Sequence, residues 1–305
     1  MTTIKKPKSK VRNRDLLENF RNKSTAALFI FPCIITLLVL LLYPFGFSIY
    51  ISFFKTNLFN KWKYLGLDNY VKWFTSGDFT ESLLTTINFT FWVVVGHLVL
   101  GLGFALLLNK KIRGRTFYRA ILLLPWLLPE VVVANLWRFI FTTTTGLFNG
   151  FLQTVGLIDE PMAFLSSLDF AMPVVIFVCI WKGYPLLFLQ LMAGLQTISE
   201  DLYEAAKIDG ATAFESFWHV TLPGLRPTLS VALLLDTVWW FKHVTMIWIL
   251  TQGGPGSATN VLAVNIYKTA FDFNKPGPAS ALAVIVFIIC LGISLIYRRG
   301  LKAND

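Results

Sequence analysis

The stretch SEDLYEAAKIDGATAFESFWHVTLP, residues 199–223, is the polar and amphipathic exception between two long apolar runs. It reads as two short helices joined at a bend. Ser199 caps the first helix and places Glu200 and Asp201 in its first turn, where carboxylates meet the positive end of the helix dipole. Asp209-Gly210 supplies the turn, because glycine tolerates a positive φ. Thr212 with Glu215 three residues on forms a capping box for the second helix, and Pro223 ends it. A compact exposed knob of this kind suits docking into a groove of another protein.

On either side of the knob the chain is apolar. Hydrophobic residues make up 55% of it and charged residues 14%, with a mean hydropathy of +0.62, whereas a soluble domain is roughly one quarter charged. About 20 apolar residues cross a bilayer core as a helix, and six stretches have that length: Thr25 to Ile49, Leu83 to Leu108, Ile121 to Phe141, Phe170 to Leu191, Thr228 to Leu250 and Ala279 to Tyr297. In lipid every backbone polar group must bond internally, so these are helices.

The expected chain is an all-α integral membrane protein with six transmembrane helices. A basic tail (1–24) precedes the first span (25–50), an external loop (51–82) follows, and a five-helix core (83–297) carries the 199–223 loop ahead of a short tail (298–305). The apolar start is too long for a removable signal and is read as retained.

Lys and Arg orient the helices. Eight lie in the N-terminal tail, five after the second span (Lys110, Lys111, Arg113, Arg115, Arg119), two near the 199–223 loop (Lys207, Arg226) and three at the C-terminus (Arg298, Arg299, Lys302). The opposite side carries Lys55, Lys61, Lys63, Lys72, Lys268 and Lys275. Both termini of this multi-pass chain are therefore expected in the cytoplasm. The net charge of +10 follows this flanking pattern and not a nucleic-acid motif. Trp62, Trp73, Trp137 and Tyr267 sit near span ends, where amphipathic rings anchor at headgroups. Pro125 and Pro129 are expected to kink the third span, and Pro185 the fourth.

The 199–223 loop resembles the coupling loop of permease subunits of binding-protein-dependent ABC importers, which pairs Glu-Ala-Ala with Asp-Gly and a later hydrophobic-x-Leu-Pro. Glu204, Ala205, Ala206, Asp209, Gly210, Leu222 and Pro223 take those places. Tyr43-Pro44 with Ser48 and Ser52-Phe53, Gly66-Leu-Asp68-Asn69-Tyr70, Leu124-Pro125 with Pro129, Ala134 and Trp137, and Leu250-Thr251-Gln-Gly253-Gly254-Pro255 with Thr259 extend the likeness to the carbohydrate-uptake branch. The resemblance implies the type I importer permease fold, with the loop seated in a cleft of a cytoplasmic ATPase dimer. It also implies a second homologous permease and an external solute-binding protein facing Gly253, Gly254 and Pro255. A plain Gly/Pro turn explains those three residues equally well.

No Gly-x4-Gly-Lys-Ser/Thr loop is present, so ATP and Mg are expected on the partner ATPase, and this chain is expected to bind no cofactor or metal. No His-Glu-x-x-His, Cys-x-x-Cys or Gly-x-Ser-x-Gly motif points to an enzyme, and Cys33, Cys179 and Cys290 read as packing residues. Ionisable residues inside a membrane are costly and default to functional candidates. Here they are Arg138, Lys182, Asp236, Lys242 and His243, beside Gly183, Tyr184, Trp239 and Trp240, whose rings could stack on a sugar. The cation excess fits an acidic sugar. The alternative is structural: Asp236 bridges Lys182 or Lys242. Two other functions compete, a permease for another solute such as glycerol phosphate, and a gradient-driven carrier, for which Asp236 and Glu130 would be the acidic relay.

Overall fold

A computed structural model describes residues 29–57, 62–110 and 112–302. The basic tail, the first residues of the first expected span, Lys61, Lys111 and residues 303–305 lie outside the described residues. The chain forms thirteen labelled helices and a hairpin: α1 (Phe29–Ser52), β1 (Phe54–Thr56), β2 (Trp62–Tyr64), α2 (Asp68–Thr75), α3 (Gly77–Asn109), α4 (Arg115–Leu127), α5 (Glu130–Ile140), α6 (Leu147–Thr154), α7 (Ala171–Leu195), α8 (Glu200–Ile208), α9 (Ala213–Ser216), α10 (Leu222–Phe241), α11 (Thr245–Thr251), α12 (Leu262–Tyr267) and α13 (Pro276–Lys302). Four of them, α1, α3, α7 and α13, are long and apolar enough to cross a membrane. The bent pairs α4–α5 and α9–α10 with α11 raise the number to six if each is one span.

Helix α7 is the hub. Most of its side chains are buried, including Val175, Val178, Leu187, Phe188 and Leu191, as expected of a helix that is apolar all round. It runs parallel to α3, since Gly96 meets Ile180 while Gly101 meets the backbone of Phe188, where a Cβ would sit 3.1 Å from the amide nitrogen. Small residues let membrane helices approach this closely. Helix α10 runs the opposite way: Gly183 meets Trp240 and Gly194 meets Thr228. So does α4–α5, whose Leu122 faces Tyr184 and whose Trp137 faces Phe177. Helix α13 is antiparallel to α1, since Phe45 meets Phe287 while Gly277 meets the backbone of Ile51 and Phe54, and to α10, since Thr237 meets Tyr297 while Phe241 packs in one cluster with Leu282 and Ile285.

The kink expected in the third span is a break of 89° between α4 and α5, because the extended backbone at Leu128 and Pro129 ends one helix and starts the next. Pro125 lies inside α4. Other expectations change. Pro185 does not interrupt α7, which is helical from Ala171 to Leu195. Pro223 does not end the second loop helix: α9 passes through a five-residue π turn, Phe217–Thr221, directly into α10 with Pro223 in its first turn. The π turn absorbs the missing amide: the Leu222 N–H reaches back five residues to the Phe217 carbonyl, and the helix runs on past Pro223. The 51–82 segment is not a simple loop, since the β1–β2 hairpin, α2 and the start of α3 fill it, and the hairpin is the one departure from an all-α chain among the described residues. Trp73 donates its indole N–H to the Pro278 carbonyl at 2.8 Å, and Trp137 packs among Phe141, Phe177 and Trp181. Both serve as packing residues.

Candidate functional site

The 199–223 loop forms the caps that its sequence dictates. The Ser199 hydroxyl accepts from the Asp201 amide at 3.3 Å. Gly210 adopts φ +83°. The Thr212 hydroxyl accepts from the Glu215 amide at 3.3 Å, while the Thr212 amide and hydroxyl donate to the Glu215 carboxylate at 2.7 and 2.8 Å. Those bonds from Thr212, the amide first, hold the Glu215 carboxyl below the usual carboxylate range. Tyr203 bonds the Thr221 hydroxyl at 3.0 Å and ties α8 to the π turn. Glu204, Ala205, Asp209, Gly210 and Pro223 are exposed, and Ala206 and Leu222 half-buried.

Around them stand large apolar side chains that the sequence reading did not single out: Ile208, 86% exposed, with Leu202, Phe214 and Trp218. A soluble surface would seldom leave so many together. Their spacing was legible in the sequence, but not their exposure.

In the bundle centre the structure separates residues the sequence had grouped. The Lys182 ammonium donates to the carbonyls of Pro125, Trp126 and Leu128 at 3.0, 2.9 and 2.8 Å. It caps the C-terminal end of α4, where orphan carbonyls and the helix dipole favour a cation. Its three donors are thereby used, so Lys182 leaves the set of groups free to meet a solute. Asp236 bridges neither Lys182 nor Lys242. It pairs with Nδ1 of His97 at 2.9 Å, and Nε2 of the same ring lies 3.2 Å from the Cys179 carbonyl. Sequence reading passed over His97 because 139 residues separate it from Asp236.

Gly183 fits beneath this pair, for a Cβ there would press on the His97 ring and lie 2.6 Å from Trp240. Trp240 is buried against His97, Phe89 and His243. Nε2 of His243 accepts from the Met246 amide at 3.4 Å, at the α10–α11 break. Tyr184 donates to the Leu122 carbonyl at 3.0 Å. Trp239 and Lys242 are exposed, with the ammonium 5.9 Å from the indole centroid.

Arg138 is placed elsewhere, at the end of the bundle opposite the 199–223 loop. It lines a cleft of about 360 Å³ with Thr142, Thr143, Ser166, Thr251 and Gln252. The Gly253-Gly254-Pro255 turn adjoins it, with a cis bond before Pro255, and is held by Thr259, which donates to the Gly254 carbonyl at 2.8 Å and bonds the Thr251 hydroxyl at 2.7 Å. The sequence-predicted residues therefore fall in three places: knob, core and mouth.

A helical membrane bundle with a capped knob at one end is the type I fold of ABC importer permeases. A bacterial ABC transporter involved in the import of the acidic polysaccharide alginate superposes with a TM-score of 0.81 at 23% identity, covering 95% of this chain and 99% of that one. The chain belongs to the family described as binding-protein-dependent transport system inner membrane component, which matches residues 97–299. The trehalose/maltose transport system permease protein MalF of Thermococcus litoralis is 36% identical over 92% of this chain and 94% of its own length. The sulfoquinovosyl glycerol transport system permease protein of Agrobacterium fabrum is 33% identical over 92% and 91%.

Proposed function

We propose that this chain is the pathway-forming permease subunit of an ATP-driven importer for a sugar or oligosaccharide, in which an ATPase dimer grips the 199–223 loop. The observation that carries the reading is the exposure of the apolar side chains Leu202, Ile208, Phe214 and Trp218 on the same loop as the exposed Glu204, whose two helices are already capped. A preorganised knob loses little entropy on docking. Its second helix continues into α10, so force on the knob reaches Asp236 and the α10–α11 break along one helical segment. ATP and Mg belong to the ATPase, a second permease completes the pathway, and an external binding protein delivers the solute to the mouth at Arg138 and Gly253-Gly254-Pro255.

The sugar assignment rests on the relatives named for trehalose, maltose and sulfoquinovosyl glycerol transport. Six spans are supported by the helix directions. Because α3 and α7 are parallel, the α4–α5 pair between them must run back across the bundle, and α10 must run back between the parallel α7 and α13. Both described ends then lie at the knob's end, and the excess of Lys and Arg near that end supports a cytoplasmic location for it.

The test is purification in mild detergent with mass spectrometry of what accompanies the chain. An ATPase and a second permease should co-purify, and Glu204→Lys should lose the ATPase while keeping the permease. A chain that purifies alone and drives uptake in vesicles without ATP would make it a gradient-driven carrier.

A further inference from the structure

Away from the knob, the core pair and the mouth at Arg138, the hairpin end of the bundle holds a cleft of about 560 Å³, a volume in the range of small-molecule sites. Lys55, Lys72 and Lys275 line it, with one carboxylate, Asp78, and walls that include Trp73 and Asn274. None of the three ammonium groups has an ion pair among the described residues, where the one carboxylate bridge is His97 to Asp236. The hairpin adds to the excess: Lys55 lies directly opposite Lys63 in the β1–β2 register, an arrangement that destabilises a strand pair. Lys275 stands 5.9 Å from the centre of the Phe273 ring, but no carboxylate among the described residues lies within ion-pair reach of the three charges.

The aromatic wall is fixed. The Trp73 indole N–H is committed to the Pro278 carbonyl, which ties α2 to the start of α13, and the ring, packed in part against the apolar cluster of Phe79, Leu282 and Ile285, gives its remaining surface to the cleft. A flat aromatic surface, amide and hydroxyl groups and an unneutralised set of ammoniums together match a sugar ring that carries an anionic group.

We propose that this cleft is a saccharide site selective for anionic sugars, separate from the central pathway. The choice of a sugar over another anion rests on the importer reading above. The cleft then lies on the delivery side, where it holds one acidic residue of the incoming chain. Its concave shape and small volume favour a sugar over an acidic surface of a partner protein.

The experiment uses full-length protein in nanodiscs and compares trigalacturonate with the neutral galactotriose by microscale thermophoresis. The anionic trisaccharide should bind at least 10-fold tighter at low salt. The preference should shrink as ionic strength rises. The double variant Lys72→Ala, Lys275→Ala should reduce it below twofold with unchanged thermal unfolding, since both side chains are exposed. Trp73→Leu should weaken both sugars alike.

Equal binding of the two sugars, no binding of either at millimolar concentration, or a preference that survives the double variant would overturn the proposal. So would a tetraglutamate peptide that binds more tightly than the saccharide, which would mark a protein-docking surface. The importer reading stands or falls separately, on ATPase co-purification with Glu204→Lys.

Discussion

At the residue scale, the buried pair His97–Asp236 holds α3 to α10 in the bundle centre, with the Asp236 side chain 10% exposed and that of His97 fully covered. Leaving a buried hydrogen-bonding group without its partner costs about 1–3 kcal/mol. Asp236→Asn, which replaces the carboxylate acceptor, should therefore lower the unfolding temperature in detergent. Adding His97→Gln, whose amide can exchange hydrogen bonds with the asparagine, should recover part of the loss, a coupling that a double-mutant cycle reads directly. Lys182→Met should also destabilise, by about 3 kcal/mol, since three carbonyls at the α4–α5 break lose a charged donor. The apparent KM for solute should stay unchanged in whatever fraction folds. A raised KM with unaltered stability would return Lys182 to the solute pathway. The sequence marked Lys182 and Asp236 as special because intramembrane charge is expensive, but their partners were illegible. Backbone carbonyls at a helix break carry no side-chain signature, and His97 lies far away along the chain.

At the scale of elements, local signals were read most faithfully. Ser199, Gly210, Thr212 and Glu215 act within three residues of themselves, so their caps and turn follow from sequence alone. Pro223 and Pro185 were misread because proline is decisive only where a helix needs the missing amide. At Pro223 a π turn re-routes the hydrogen bonding just ahead of the ring, and a helix packed on several sides as α7 is can tolerate the loss. Thr212→Ala should fray α9 at a cost of about 1 kcal/mol, seen as faster amide exchange over residues 213–216. The effect should stop short of α10, which packs on α3 and α7. The Glu215 carboxyl has a lowered folded pKa, so its contribution to the cap is complete above the ordinary glutamate value of about 4.3 and is lost as pH falls through the lower folded value. Amide exchange at 213–216, corrected for its intrinsic pH dependence, should be flat from neutral pH down to that ordinary value and rise only in stronger acid. A rise between pH 6 and 7 would show that Glu215 is not the group that titrates.

At the scale of the whole molecule, the number of crossings depends on whether each bent pair traverses the bilayer or turns back. If α4–α5 turned back, α3 and α7 would be antiparallel, yet Gly96 meets Ile180 and Gly101 meets Phe188, with residue numbers rising together. The knob at Ile208 and the segment at Glu160, both exposed, should therefore lie on opposite sides of the membrane. In a chain with Cys33, Cys179 and Cys290 replaced by alanine, Glu160→Cys should react with an impermeant maleimide on intact cells. Ile208→Cys should react only in inverted vesicles, and ATPase bound to the knob should protect it. Labelling of both positions from the same side would mean that α4–α5 is re-entrant, moving one terminus across the membrane. Labelling on opposite sides but reversed would invert the whole bundle, and the excess of Lys and Arg at the knob's end, normally the strongest determinant of orientation, would then have to be overridden by an assembly partner.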